Sequence, residues 1–415
     1  MRYSFRLAKL VGHTPDPRKR PGTIKQICEF TGLDRHQVAA LLKNEVKYIP
    51  MEAIGKLCDY LLARGLATPH ELPGVLFSLE PENFWELLAR RHWLEICLGV
   101  RRDEPSDTLD DAWVVASDSV LFGKLLNGVT ALRTTGPREG AGADEFSPLE
   151  AAPPVAPVAA IAPSIEESGD LPDPVISHPE LISQSLVWSP SSNVLGDYVG
   201  MAKNVKGEFW NRKGDKALVS IGSSKSNPVS ELVISEVFGC EPFQTQDDVS
   251  APGKRRCPIF LRYRDQDPSY LVSCCGGHRL AVDHEAKHAG IYYELPNGKW
   301  EICPWDPVKY DAAFVFYVHR ESQGVLEMVL GGYSGRATRL LAQNLDRHAE
   351  KFWPPVFEGH GLEIGAFIVK FELDEKKESR DQNLLAANDS PRVEVIRLDP
   401  EVIDRRLTPL ADRGE

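Results

Sequence analysis

The sequence lacks any segment that predicts membrane insertion or export. No run approaches the roughly 18 consecutive apolar residues that a membrane-spanning helix needs. The N-terminus also has no apolar core followed by a small-residue cleavage site. We therefore expect a cytoplasmic protein with no membrane partner.

Paired cysteines are missing as well. The eight cysteines are scattered at positions 28, 58, 97, 240, 257, 274, 275 and 303, and none has C-x-x-C spacing. A disulfide framework is therefore not expected. Cys274 and Cys275, followed by Gly276, Gly277 and His278, invite a metal or redox interpretation, but the spacing matches no zinc signature. A strand that ends at a glycine turn is the favoured interpretation, and we predict no metal site.

The common glycine motifs of nucleotide-binding and hydrolase folds are absent too. The sequence contains neither G-x-G-x-x-G nor a G-K-[ST] motif. The stretch from Gly332 to Gly335 reads G-Y-S-G, so it lacks the residue between serine and the second glycine that the G-x-S-x-G nucleophile motif requires. ATP hydrolysis and serine-hydrolase chemistry are therefore not predicted.

What the chain does have is an uneven charge distribution over a length of several domains. Its 415 residues are 42% hydrophobic and 26% charged, which is ordinary for a soluble protein of two or three domains. The formal net charge is -12, yet the chain through Val75 carries 12 basic and 7 acidic residues, which leaves -17 for the remainder. Positive charge is thus concentrated at the N-terminus, where it could meet phosphates.

Two short helices joined by a tight turn are predicted between Thr23 and Lys43. Gly32 stands at the reversal, where a residue free to take positive φ is favoured, and Asp34 can cap the second helix. A third helix is predicted from Pro50, because proline is favoured in a first helical turn. The apolar positions expected to face inward are Ile24, Ile27, Cys28, Leu33, Val38, Leu41, Leu42, Ile54, Leu57, Cys58 and Leu61.

This pattern resembles the helix-turn-helix of the Cro and lambda-repressor superfamily, often called XRE-like, over roughly Met1 to Leu62. Cys28, Gly32, Val38 and Leu41 fill the family's small, glycine and branched apolar positions. Alanine is commoner at the place of Cys28, although a buried thiol is nearly as small. The resemblance implies a bacterial regulator that binds double-stranded DNA, with a homodimer as the expected state.

The second predicted helix leaves a polar face for contact with bases and phosphates. A basic run just before the motif could touch the DNA backbone or minor groove, and a solvated loop is an equally good interpretation. The alternative for the whole motif is a helical packing module that binds protein as an adaptor. The candidate DNA contacts are Arg35, His36, Gln37, Ala39, Ala40, Lys43 and Asn44, with Arg18, Lys19 and Arg20 in the basic run.

Composition and periodicity divide the chain into five parts. Residues 1–75 form the helix-turn-helix head, and residues 76–133 a mainly helical connection in which Phe84 to Val100 is one helix, Trp113 to Ala116 a short buried strand and Asp118 to Leu132 a second helix. Residues 134–180 read as a disordered linker, because nine prolines fall between Thr134 and Pro179. Residues 181–375 form an α/β domain, and 376–415 a charged tail. Whether residues 113–132 belong to the α/β domain or to a dimerisation unit stays open.

The α/β domain is predicted to be a three-layer, Rossmann-like fold with a mainly parallel centre and some antiparallel strands. Helices are expected after Asn193, Asn227 and Gly335. The predicted strands are Ala217 to Ile221, Ile259 to Tyr263, Tyr270 to Ser273, Ile291 to Leu295, Ala313 to Val318, Leu326 to Leu330 and Ile364 to Phe371.

Two loops of this domain share one design, a buried strand that runs through small residues into a helix. Such a loop presents backbone N–H groups and hydroxyls beyond the carboxyl end of a strand, where α/β sheets bind anions. Together the loops predict a pocket for a nucleotide or other phosphorylated effector, whereas tight structural turns are the plainer alternative. The loop residues are Gly222, Ser223, Ser224, Lys225, Ser226 and Asn227 in the first loop and Gly331, Gly332, Ser334, Gly335, Arg336 and Thr338 in the second, with Arg339 a further cation.

The leading hypothesis is therefore a DNA-binding transcription regulator whose α/β domain senses a small anionic effector. A second hypothesis is an enzyme that processes nucleotides or NAD, with Glu231 or Asp197 as the catalytic carboxylate. We assign no catalytic residue and name no certain cofactor.

Overall fold

A computed structural model describes most of the head and of the α/β domain. The described residues are 3–13, 22–43, 45–46, 48–69, 72–79, 81–101, 112–131, 179, 181–190, 198–212, 214–240, 242–243, 257–262, 288–320, 323–359, 361–373 and 392–407. The predictions for the basic run, Asn44, Asp197 and the strand from Tyr270 to Ser273 lie outside these residues, as do Cys274 and Cys275 and most of the linker.

The head is a small helical domain closed by a two-stranded sheet. Its apolar core includes Ile27, Val38, Leu41, Leu57 and Leu61, all of which the sequence pattern had placed inside. Strands β1 and β2 pair antiparallel and bring both chain ends of the head together. The elements are β1 (Tyr3–Phe5), α1 (Leu7–Leu10), α2 (Thr23–Thr31), α3 (Arg35–Leu42), α4 (Met51–Ala63) and β2 (Phe77–Leu79).

The second domain contains a mixed sheet with helices on both faces, and a separate three-stranded sheet. Its helices are α5 (Phe84–Ala89), α6 (Ala116–Ala131), α7 (Tyr198–Asn211), α8 (Pro228–Val237), α9 (Gly335–His348) and α10 (Pro400–Arg406). Its strands are β3 (Trp93–Arg101), β4 (Trp113–Val114), β5 (Leu181–Trp188), β6 (Lys216–Ile221), β7 (Ile259–Arg262), β8 (Gly290–Glu294), β9 (Trp300–Pro304), β10 (Tyr310–Arg320), β11 (Val325–Gly332), β12 (Phe357–Gly359), β13 (Leu362–Glu372) and β14 (Arg392–Arg397).

The large sheet has a parallel half and an antiparallel half. Strands β5, β3, β6 and β11 are parallel neighbours in that order. Strand β10 pairs antiparallel with β11, and β13 continues this half with β12 and β14. Helices α7 and α8 contribute to the apolar core on one face, whereas α5, α6 and α9 contribute to the core on the other. The mixed sheet with helices agrees with the predicted fold class at this level.

The predicted connection after the head is corrected by β3. The stretch from Phe84 to Val100, predicted as one helix, is helical only to Ala89 and then becomes a buried strand. Because β3 lies between β5 and β6, its apolar residues run continuously instead of alternating, and such a run cannot be distinguished from a buried helix by period. The predicted strand from Trp113 to Ala116 is also shorter, and its Trp113 is exposed.

This topology places the predicted linker within the sequence of the α/β domain instead of before it. Strand β3 and helix α6 precede the proline-rich residues 134–180, yet both belong to the sheet and core of the α/β domain. That segment therefore lies between α6 and β5 of one domain, and the head is joined to α5 directly. The sequence had predicted a tether between head and domain.

The predicted charged tail contains ordered structure as well. Strand β14 pairs with β13, and α10 buries Val402 and Ile403. Charged residues at the exposed positions of both elements hid these contributions to the core. Across the described part of the chain, none of the helices is sufficiently long and apolar to cross a membrane.

Candidate functional site

The turn between α2 and α3 has the geometry that the sequence predicted. Gly32 adopts φ 68°, and its N–H donates to the carbonyl oxygen of Cys28 at 2.9 Å, which ends α2. The Asp34 carboxylate then accepts hydrogen bonds from the backbone N–H groups of His36 at 2.7 Å and Gln37 at 3.4 Å. These bonds, with that of His36 the largest cause, hold the pKa of Asp34 below its usual value. The start of α3 is thus fixed relative to α2.

Helix α3 presents one apolar and one polar face. Val38, Leu41 and Leu42 are buried in the head core. Among the predicted contacts, Arg35, His36 and Lys43 are exposed, whereas Gln37, Ala39 and Ala40 are half-buried. A helix of this length spans about 12 Å, close to the width of the DNA major groove. The arrangement leaves a side of α3 that can enter such a groove.

One exposed aromatic residue in the connection after α3 was not predicted. Tyr48 lies between α3 and α4 with 89% of its surface exposed. A tyrosine hydroxyl can donate to a DNA phosphate, so Tyr48 is a further candidate for a backbone contact. Its only sequence signal was an aromatic residue in a short polar connection.

The two predicted ligand loops meet at one edge of the sheet. The first follows β6 and the second follows β11, and these strands are parallel neighbours with Ile221 opposite Leu330. A Cβ atom on Gly331 would lie 2.7 Å from the carbonyl carbon of Gly222, so the loops are in direct contact. The helices that follow leave on opposite faces of the sheet, since α8 joins one core and α9 the other.

Several of the predicted ligand side chains are engaged within the protein. Asn227 caps α8 by accepting from Val229 N–H at 3.0 Å, and its Nδ2 donates to the carbonyl oxygens of Cys97 and Ile221. Thr338 Oγ1 accepts from Gly332 N–H at 3.0 Å. These contacts stabilise the loops, and they occupy hydrogen-bonding groups that the sequence had assigned to a ligand.

The predicted cation of the second loop is engaged in the same way. Arg336 donates through Nε to Asp311 Oδ2 at 3.3 Å and through Nη1 to the carbonyl oxygen of Pro307 at 2.7 Å. Ser334 Oγ donates to the same Asp311 oxygen at 2.5 Å. Arg336 therefore ties α9 to the start of β10 and to the segment before it, a partnership that no local sequence pattern revealed.

The remaining residues of the first loop and the candidate catalytic residue Glu231 are buried or half-buried. Gly222, Ser223 and Ser224 are buried, and Lys225 and Ser226 are half-buried. Glu231 is fully buried, and its Oε1 accepts from the backbone N–H of Phe243 at 3.3 Å. A carboxylate enclosed in this way is poorly placed to meet a substrate.

Comparison with known families identifies the head. Residues 18–62 match the family of Cro/C1-type helix-turn-helix DNA-binding domains. The match spans the turn at Gly32 and all of α2, α3 and most of α4. The head is therefore a DNA-binding domain of this type, as the resemblance had indicated.

The comparisons leave the α/β domain without a relative. No curated protein shows significant similarity to the chain, and neither does any solved structure.

Proposed function

We propose that this protein is a sequence-specific transcription regulator that reads double-stranded DNA through α3. The observation that carries the proposal is the presentation of Arg35 and His36 on the outer side of a capped helix in a Cro/C1-type domain. The basic balance of the head supports it, because phosphate contacts supply most of the affinity for DNA.

Arg35 and Gln37 are the residues to which we assign base recognition. An arginine can donate two hydrogen bonds to guanine in the major groove, and a glutamine can pair in the same way with adenine. Both residues lie in the first turn of α3, the part of a recognition helix that contacts base edges. Lys43, Arg18, Lys19 and Arg20 are assigned to phosphates.

We extend the proposal to a homodimer that binds two half-sites. An eight-residue α3 spans only a few base pairs, so a second copy supplies the contacts that a specific site needs. The edge strand β5 supports self-association: residues 181–188 hold no charged residue or proline, and Leu181, Ile182 and Leu186 are exposed. No strand pairs with its outer edge within the described residues, and unprotected edges favour strand pairing.

We also propose that the α/β domain binds a small anionic effector at the carboxyl edge of its Rossmann-like parallel half. The support is topological, because β6 and β11 lie side by side while their helices leave on opposite faces, the arrangement at which α/β sheets commonly bind ligands. Coupling of about 1 to 3 kcal/mol between effector and operator would change DNA affinity by roughly 5- to 150-fold.

One contact offers a route for this coupling. Arg6, which follows β1 of the head, forms an ion pair with Asp215 at 2.6 Å between Nη2 and Oδ2. Asp215 directly precedes β6, and the first candidate ligand loop follows the other end of that strand. A shift of β6 on effector binding would therefore reach the head through this ion pair.

Binding of the full chain to duplex DNA should weaken steeply as salt concentration rises. Replacing Arg18, Lys19 and Arg20 with glutamine should reduce the slope of log K against log salt by about 0.9 for each phosphate that is no longer neutralised, without a change in base preference. Fluorescence anisotropy over a salt series measures this slope.

The matched control is Arg392→Gln, an exposed residue of β14 in the other domain, which should leave the slope unchanged. If the triple variant keeps the wild-type slope, the basic run is a solvated loop. If the wild-type chain shows no salt-dependent binding to any duplex, the proposed function is wrong.

A further inference from the structure

A cluster of charged and aromatic side chains lies at the carboxyl end of β3, apart from the DNA interface. Arg101 is the last residue of β3 and stands opposite Trp113 of β4. The Arg101 guanidinium lies over the Trp113 ring, 5.9 Å from its centre, and 40% of the Trp113 surface is exposed. This part of the cluster combines a cation with an aromatic face open to solvent.

Asp118 brings a buried carboxyl group to the same place. Only 4% of its surface is exposed, and Oδ1 accepts from Ser117 Oγ at 3.3 Å. Its other oxygen, Oδ2, is buried and has no hydrogen-bond partner among the residues that the structure describes. Burial raises the pKa of Asp118 to about 6, although Arg101 is near enough for its charge to oppose the shift. An unpaired buried carboxyl oxygen is costly and therefore indicates a missing partner.

Helix α9 begins beside this cluster and carries a further arginine one turn from its start. Gly335 begins α9 next to Ser117, since a Cβ atom there would lie 3.2 Å from Ser117 Oγ. Further along, Asp346 of α9 forms an ion pair with Lys124 of α6 at 3.7 Å. Arg339 lies four residues after Gly335, about one helical turn further along the same side of α9. Its Nε is buried and has no partner within the described part of the chain, as is also true of Arg101 Nε.

We propose that this cluster binds a nucleoside phosphate. The exposed ring of Trp113 offers a stacking surface for a base, because every base has a π-face. Oδ2 of Asp118, which has no partner among the described residues, accepts a hydrogen bond from a ribose hydroxyl or a base amino group once the ligand displaces the side chains around it. Arg101 and Arg339 supply donors for the phosphate oxygens.

The inference rests on the proposed effector function and gives it a site and a ligand class. It also differs from the sequence prediction in the groups used. Asn227, Thr338 and Arg336 form hydrogen bonds within the protein, whereas Asp118, Arg101 and Arg339 each have a buried polar atom without a partner among the residues that the structure describes. The two groups adjoin through α9, which starts at the second predicted loop and packs along α6.

Isothermal titration of the full chain with adenosine monophosphate tests the site. Adenosine, ribose 5-phosphate and inorganic phosphate serve as partial probes, and each should bind more weakly than the complete nucleotide. Asp118→Asn and Trp113→Ala should each weaken nucleotide binding by roughly tenfold or more. Lys124→Gln, on the same pair of helices, is the matched control and should bind as wild type does.

Three results would overturn the site. The first is failure of the wild-type chain to bind any of the four common nucleoside monophosphates. The second is wild-type affinity in both Asp118→Asn and Trp113→Ala. The third is inorganic phosphate binding as tightly as the nucleotide, which would mark a simple anion site.

Anisotropy of the same preparations on operator DNA separates the two proposals. If DNA binds and no nucleotide does, the site is wrong and the DNA-binding function stands. If the nucleotide binds at Asp118 without altering DNA affinity, the site stands and effector control is wrong. If another compound shifts DNA affinity equally in wild type and Asp118→Asn, the assignment of the effector site to this cluster is wrong.

Asp118 should also destabilise the protein at neutral pH when no ligand is bound. Its pKa of about 6 in the folded protein exceeds the ordinary 3.8, so stability is lost as the pH rises between these values. Asp118→Asn carries no charge and escapes that loss. It should therefore raise the Tm by several degrees at about pH 7.5 and leave it unchanged at about pH 4. An equal Tm difference at both pH values would show that Asp118 does not ionise in this way.

Discussion

Replacing Glu327 with alanine is expected to lower the free energy of unfolding of the α/β domain by about 3 to 5 kcal/mol. Glu327 lies in β11 with none of its surface exposed, and it forms ion pairs with Arg320 and with Lys206, the latter at 3.1 Å. Trp210 Nε1 donates to it at 3.3 Å. Its removal would leave Arg320 and Lys206 largely buried without the carboxylate that neutralises them.

The position of Glu327 explains the size of this effect. Burial alone would raise the pKa of the carboxyl group, but Arg320 and Lys206 outweigh burial and hold the pKa below its usual value. The network joins α7, β10 and β11, and Lys206 adds an ion pair with Glu236 of α8. These elements hold the parallel half of the sheet against its helices.

Urea unfolding followed by circular dichroism measures the change. Glu372→Ala is the control, because its ion pair with Arg392 spans 3.8 Å on the surface and should contribute less than about 1 kcal/mol. A loss below about 1 kcal/mol in Glu327→Ala would contradict the role assigned to the network.

Replacing both Arg35 and Gln37 with alanine is expected to abolish most of the preference of the protein for its operator. Each specific base contact contributes about 1 to 3 kcal/mol, so the double variant should lose about 2 to 6 kcal/mol of discrimination. Arg35 is exposed and Gln37 half-buried, and neither belongs to the apolar core of the head, so the head should keep its fold. Competition between operator and random duplex in anisotropy gives the discrimination directly.

Lys25→Ala provides the control for this experiment. Lys25 lies on α2 with most of its side chain exposed and pairs with Glu29 at 3.7 Å. Its loss should leave base preference intact, whatever it does to overall affinity. Unchanged discrimination in a folded Arg35 and Gln37 double variant would show that α3 does not read the bases.

The head could be predicted from sequence because its signals are local. Gly32 and Asp34 fix a turn within a few residues, and the apolar spacing around them identifies the packed faces. The loops after β6 and β11 were recognised for the same reason, since each follows a strand directly. Strand β3 was missed because its burial on both faces depends on β5 and β6, which come much later in the chain.

The engagement of the predicted ligand residues could not be foreseen for a related reason. Asn227 donates to Cys97, which lies 130 positions away, and Arg336 meets Asp311 across 25 positions. The cluster around Asp118 was missed because Arg101 and Trp113 meet Asp118 only when β3, β4 and α6 have packed. Local patterns predicted which residue types lie at the sheet edge. Tertiary contacts decide which of those side chains are still available to a ligand.

Selection of bound fragments from a random duplex library with the full chain decides whether α3 recognises a specific DNA sequence. A dimer that reads DNA through α3 should enrich one motif with two-fold related half-sites, whose centres lie about 10 base pairs or a multiple of that apart. The Arg35 and Gln37 double variant should lose base preference within each half-site and keep the spacing. Recovery of fragments with no common motif by the wild-type chain would contradict sequence-specific recognition through α3.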